Sequence, residues 1–194
     1  MNANAQASLP DERALVQRAR TEPDAFRVLY QHYFPRVYAY VAYRVNTAQD
    51  AEDLTAEIFL RVVVNLAQFE QRGEGAFAAW LFSIARHRLM DEYRRRRQIL
   101  QTVSLDDLPE INGEEGDSPD ALLLRKERFV RLRQMIATLS PRRQEVITLR
   151  FFAELRNQEI AEVLGLDERT VASHLTRALE DLGQRYRHEL EGKP

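Results

Sequence analysis

Apolar residues in this chain recur at intervals of three and four along several long segments, and no run alternates them with polar residues. Such spacing gathers them on one face of an α-helix, whereas a half-buried strand repeats every two residues. Phe26, Leu29, Tyr30, Tyr33, Val37 and Val41 make the first stripe, with Pro35 placed to bend that helix or end its first turns. Thr47 and Asp50 have the Thr-x-x-acid spacing of a helix start. Ala51, Leu54, Ile58, Val62, Leu66 and Phe69 then mark one face of a second helix ending before Gly73. The third segment, 77–97, reads FAAWLFSIARHRLMDEYRRRR. Its Trp80, Leu81, Ile84 and Leu89 suit a core, and its end is four consecutive arginines. No Asn-Gly or Asp-Gly sits between apolar runs to turn a hairpin. The expected fold is all-α.

Charge divides the chain. A net charge of −2 conceals Arg94, Arg95, Arg96 and Arg97 followed by 22 residues, Gln98 to Pro119, with six acids and no base. One-signed charge with little apolar content does not order itself, so 98–119 reads as a flexible acidic linker able to reach roughly 70 Å when extended. It separates helical domains over 11–97 and 120–188. Aromatic rings beside guanidinium groups suit opened nucleic acid, by base stacking and phosphate neutralisation. The absence of cysteine excludes disulfides, thiolate metal sites and thiol catalysis. With no signal-peptide pattern and no long apolar run, the sequence predicts a soluble cytoplasmic protein.

Beyond the linker, Ser118-Pro119-Asp120 is a helix start. Leu122, Phe129, Leu132, Ile136 and Leu139 supply that helix's buried stripe, and Ser140-Pro141 opens another running through Phe151. Asn157 is placed to cap the segment QEIAEVLGLDERTVASHLTRALEDL, which has helix-turn-helix spacing. A short helix carries Ile160, Ala161 and Leu164, Gly165 relieves a left-handed turn, and Asp167 caps a longer helix. Val171, Leu175, Ala178 and Leu182 face inward there. Arg169, Thr170, Ser173, His174 and Arg177 project to the other side, where a major groove would be read.

Three motifs occurring in order, DAEDLTAEIFLRVVVNL (50–66), the arginine-ended segment (77–97) and LSPRRQEVITLRFFAELRNQEIAEVLGLDERTVASHLTRAL (139–179), resemble a bacterial RNA polymerase sigma factor of the extracytoplasmic-function group. The resemblance runs from about Ala25 to Tyr186. It implies that Asp50, Asp53, Leu54, Glu57 and Ile58 dock on the clamp coiled coil of the largest subunit of core RNA polymerase. An acidic strip would chiefly set docking rate and register there. It implies that Arg72 in the loop Glu70–Gly75, with Phe77, Arg86, His87, Arg88 and Arg94 to Arg97, contacts the −10 promoter element and assists strand opening. It implies that Arg142, Arg143, Arg169, Thr170, Ser173, His174 and Arg177 contact the −35 element. Ala172 and His174 depart from the family's Thr-Val-Lys-Ser-Arg run, removing two positive charges from the reading helix. Family members need no cofactor or metal, have no catalytic activity of their own, and are usually restrained by an anti-sigma protein that nothing in these residues identifies.

Two rival readings come from other classes. A LuxR-like two-domain regulator would use the carboxy-terminal reader without polymerase docking, but leaves the DAEDLT helix unexplained. A magnesium nuclease would gather Asp50, Asp53, Glu57 and His87 around the ion, but lacks a converging carboxylate from a second element.

Overall fold

A computed structural model of the chain describes residue 9 and residues 11–71, 73–99 and 119–191. Eight α-helices and one 3-10 turn make up the regular structure, and no strand occurs among the described residues. The chain is all-α, as expected. α1 (Glu12–Arg18) starts at Asp11, whose carboxylate accepts from the Ala14 N–H. α2 (Pro23–Ala42) has proline in its first turn, where its missing N–H costs nothing. It runs on through Pro35, so the helix does not end early there, and Tyr33, Val37, Tyr40 and Val41 are buried on both sides of the proline. α3 (Ala48–Asn65) begins at Thr47, whose Oγ1 accepts from the Asp50 N–H at 3.0 Å, and ends in the 3-10 turn Leu66–Gln68. α4 spans Ala76–Ile99.

The expected linker is shorter than its boundaries suggest, since Gln98 and Ile99 finish α4 and Pro119 starts α5 (Pro119–Ala137). Residues 100–118 lie outside the described residues. α6 covers Pro141–Phe151, α7 Asn157–Leu164 and α8 Glu168–Glu191. Asn157 is the first helical residue of α7 rather than its cap. Arg156 takes the cap position, and its backbone N–H donates to the Glu159 carboxylate at 2.6 Å. Gly165 adopts φ 63° between α7 and α8, a left-handed turn that glycine accommodates without strain. Asp167 Oδ1 accepts from the Thr170 N–H at 2.8 Å.

Packing joins what the sequence separates. Leu29, Tyr40, Ile58, Phe77, Leu81 and Phe82 fill the space between α2, α3 and α4. The same continuous cluster takes in Val146, Leu149, Ile160, Val163 and Val171 from α6, α7 and α8, with Leu155 from the turn between α6 and α7. Instead of two separate cores, the two helical units share one. A smaller cluster, including Tyr43, Phe129, Ile136 and Ala178, also crosses the boundary. Polar contacts follow the seam. Arg36 Nε donates to the Ala153 carbonyl at 2.9 Å and Nη2 to the Glu154 carbonyl at 3.2 Å, steadying a turn in which Glu154 has φ 53°. Arg44 bridges Tyr40 Oη and Thr148 Oγ1 at 2.5 and 2.6 Å.

Candidate nucleic-acid interface

The outer side of α3 is the first candidate surface. Asp53 and Glu57 are exposed one turn apart, and Leu60 and Val64 continue their line at the spacing i, i+4, i+7, i+11. Leu60 is 64% exposed and Val64 68%. Leu54 and Ile58 lie on the opposite side and are buried, Ile58 completely. Both, expected among the docking contacts, pack into the core in this structure, whereas Leu60 and Val64 are the exposed apolar residues beside Asp53 and Glu57. Asp50 sits at the helix start, where the helix dipole and the Thr47 cap favour a negative charge.

α4 is the second surface. Phe77, expected as a DNA contact, is buried in the core, 1% exposed. Arg86 Nε is 2.8 Å from Glu145 Oε1 on α6. Arg88 Nε is 2.5 Å from Glu57 Oε2, and its Nη1 is 3.4 Å from Glu92. The bond to Glu57 outweighs burial and keeps this guanidinium more firmly charged than an ordinary arginine. Glu92, almost fully buried, also takes Arg95 at 2.9 Å, and Arg94 pairs with Asp91 at 3.2 Å. Each of these four arginines therefore meets DNA only by exchanging or sharing a carboxylate. His87 is exposed, with Nδ1 2.7 Å from the Ser83 carbonyl. Arg72 and the side chains of Arg96 and Arg97 lie outside the described residues.

Beside α4 the structure shows a feature that the sequence reading missed. An open groove of about 410 Å³ runs between the end of α3 and α4, with Arg61, Asn65, Gln68 and His87 on its rim. Phe69 and Trp80 line it, with ring centroids 4.8 Å apart and planes tilted 36°. Trp80 is only partly buried, so it belongs to the groove as well as to the core. An aromatic wall under amide, imidazole and guanidinium groups can stack on a flat heterocycle and hydrogen-bond its edge.

α8 is the third surface. Arg169, Ser173 and Arg177 are exposed along it, while His174 is half-buried. Thr170 donates its hydroxyl to Asp167 Oδ2 at 2.6 Å, so part of its bonding capacity serves the cap. That hydroxyl and the Thr170 N–H hold the Asp167 carboxyl below its usual range. Arg142 pairs with Glu145 at 3.2 Å and Arg143 with Asp181, so both arginines at the start of α6 have carboxylate partners.

Residues 29–99 match sigma-70 region 2, and residues 129–182 match sigma-70 region 4. The ECF RNA polymerase sigma factor BldN of Streptomyces coelicolor is 36% identical over 171 residues, covering 88% of this chain and 64% of BldN. The ECF RNA polymerase sigma factor RpoE of Cereibacter sphaeroides is 30% identical over 173 residues, covering 88% of this chain and 92% of RpoE. The chain belongs to the extracytoplasmic-function group of sigma-70 factors. CnrH, solved in complex with the cytosolic domain of CnrY, shares the fold, with a TM-score of 0.69 at 21% identity over 91% of this chain and 97% of CnrH.

A match to region 2 accounts for the α3 and α4 surfaces of this sigma factor, which a LuxR-like regulator leaves unexplained. Among the described residues no group of three or more His, Asp or Glu side chains is placed to hold a metal ion, so Asp50, Asp53, Glu57 and His87 form no such centre. No helix among them is long and apolar enough to cross a membrane.

Proposed function

We propose that this sigma factor docks on core RNA polymerase through the outer strip of α3 and aims the enzyme at promoters, contributing no catalytic group of its own. Its module over 11–97 reads the −10 element and helps open the strands, its module over 120–188 reads the −35 element, and the segment between α4 and α5 tethers them. The observation that carries this reading is the double use of α3. One face of the helix is consumed by the core, yet the opposite face keeps Asp53, Glu57, Leu60 and Val64 in line and exposed. An acidic start followed by an apolar end suits a partner helix with basic residues flanking an apolar seam. Charge sets the encounter rate and register, and burial of Leu60 and Val64 adds holding energy, fully realised at about 1.5–3 kcal/mol per side chain.

The groove beside Trp80 is the receptor for an unpaired base. Extruding a base costs a few kcal/mol, and stacking on aromatic side chains returns about 1–3 kcal/mol per base. Strands are thus opened by capture. His87 and Arg61 at the rim supply the polar edge, and the arginine end of α4 tracks the backbone. On α8, Arg169, Ser173 and Arg177 read the −35 element. Because Ala172 and His174 replace the family's basic residues, phosphate contacts there are few and intrinsic affinity is low. An anti-sigma protein would restrain this chain by covering its exposed strips. The place of action is the cytoplasm, with the polymerase.

Reconstituted transcription tests the proposal. Core polymerase from the native host, given host genomic DNA, should initiate at a discrete set of sites only when this chain is added. Initiation indifferent to the chain, or no association with core in a pull-down, refutes it.

A further inference from the structure

The match to sigma-70 region 2 begins at residue 29, and α1 lies ahead of it. Seven residues make a helix too short to persist alone, so its tertiary partners show what keeps it. Val16 is fully buried in the core shared with α2, α3 and α4. On either side of Val16, a charged side chain reaches the aromatic residues that form and back the groove beside Trp80.

Arg20, in the turn after α1, donates through Nη2 to the Phe69 carbonyl, 49 residues along the chain. Phe69 ends the 3-10 turn with extended backbone, φ −66° and ψ 129°, and its own N–H donates to the Leu66 carbonyl at 3.2 Å. The chain leaves regular structure at this point, so these backbone bonds and its ring contacts fix the direction of the Phe69 side chain. That ring is one wall of the groove, with its centroid 4.8 Å from Trp80 and 5.7 Å from Phe77. The other end of α1 meets the same aromatic cluster from behind. Glu12 accepts from the Tyr33 hydroxyl, and the Tyr33 ring packs edge-on against Phe77 at 5.3 Å, itself 5.8 Å from Trp80. Burial and the neighbouring carboxylate hold that hydroxyl protonated, so it stays a donor.

A stacking wall must be held to within about 0.5 Å by its neighbours to bind well. Arg20 suits that task. A guanidinium bond to a carbonyl is charge-assisted and roughly twice as strong as a neutral one. It grips the backbone rather than the ring, so Phe69 is steadied and the groove stays open. We propose that Arg20 is a positioning residue for base capture: with Glu12 as the second anchor, it makes α1 a brace that holds Phe69 against Trp80. The inference rests on the receptor role proposed for the groove, and gives α1 a part in strand opening without any contact of its own with DNA.

Trp80 is the chain's only tryptophan, so its fluorescence reports the groove directly. In the free full-length chain, Arg20→Ala should at least double the acrylamide quenching constant of Trp80 with helical circular dichroism unchanged. Arg27→Ala is the control for charge: Arg27 is exposed on α2 and pairs with Asp24 at 3.0 Å, and its loss should leave quenching at the wild-type value. Arg20→Lys, which keeps the charge and a donor, should restore at least half of the lost protection. Unchanged quenching in Arg20→Ala, an equal rise in Arg27→Ala, or no rescue by lysine overturns the brace. With host core polymerase, on promoters mapped by the transcription test, Arg20→Ala should bind core as wild type does. Its open complexes, read by permanganate, should form with at least five-fold lower affinity, and equal affinity overturns the brace. The slope of log affinity against log salt should stay at the wild-type value. A fall of about 0.9 would mean that Arg20 itself neutralises a phosphate, which also overturns the brace. A wild-type chain that supports no initiation would instead remove the functional reading, while the quenching measurement, which needs neither polymerase nor DNA, still decides the brace.

Discussion

Asp53 and Ile58 stand five residues apart on α3 and face opposite ways, one toward solvent and one into the core. The sequence marks both as belonging to one helix, but a period of three and four says only which residues share a face, not what covers it. That is why Ile58 and Leu54 were expected at the docking surface while Leu60 and Val64 were passed over. Side-chain exposure makes the distinction testable. Asp53→Arg should abolish association with core polymerase and leave the helical circular dichroism and melting temperature unchanged. Leu60→Asp should weaken association at least ten-fold with a stability change within about 0.5 kcal/mol, the range of exposed positions. Ile58→Ala should do the reverse: a loss of about 2–5 kcal/mol in denaturant unfolding from the cavity it leaves, with normal affinity for core below the melting transition. Loss of core affinity by folded Ile58→Ala would return that residue to the interface. Asp167 gives a pH test on α8. Its carboxyl titrates lower in the folded chain because Thr170 donates to the charged form, so its contribution is present above the ordinary carboxylate range and is lost as pH falls through its folded value. The protection factor of the Thr170 amide, its exchange rate relative to an unstructured peptide at the same pH, should fall over that acid range, and Asp167→Asn should flatten the dependence.

At the scale of elements, helix ends were legible because capping is local. Thr47 and Asp167 cap with their side chains, Gly165 takes the left-handed turn, and Ser140 holds the N-cap position ahead of Pro141. Two signals misled for one reason, which is that tertiary contacts override local preference. Pro35 removes one donor, but α2 is buried before and after it and stays whole. Asn157 is a better cap by type, yet Arg156 holds that position while bonded to Glu74 and Glu159. α4 is the element whose role depends most on partners that sequence spacing does not reveal. Its arginines read as a bare basic end, whereas Arg94 and Arg95 already carry Asp91 and Glu92. An exposed pair such as Arg94–Asp91 is worth only about 0.2–1 kcal/mol, so a phosphate can displace it. Replacing Arg94 to Arg97 with alanine should therefore weaken promoter complexes and lower the slope of log affinity against log salt by about 0.9 for each phosphate no longer neutralised. An unaltered slope would show that the run is only solvated.

For the molecule as a whole, the order of the motifs revealed two modules but not that they share a core. Val146 and Leu149 fit the apolar stripe of α6 equally well in a separate three-helix unit, and only the folded chain shows them in one cluster with Tyr40, Leu81 and Phe82. A shared core has a thermodynamic signature that tethered domains lack. If the units were independent, calorimetry would resolve two transitions, and a cavity in α6 would lower only one. With the seam packed as it is, the chain should unfold in a single transition whose calorimetric and van't Hoff enthalpies agree. Leu149, fully buried, is the place to test this. Leu149→Ala should cost about 2–5 kcal/mol. At about 2–4 °C per kcal/mol for a chain of this size, its melting temperature should fall by roughly 5–15 °C. Hydrogen exchange should then quicken together in α6, α8 and the buried half of α4. Faster exchange confined to α6–α8, with α2–α4 untouched, would mean that each unit stands alone. Exchange rising in step on both sides of the seam would mean that the shared core makes one cooperative unit of the two.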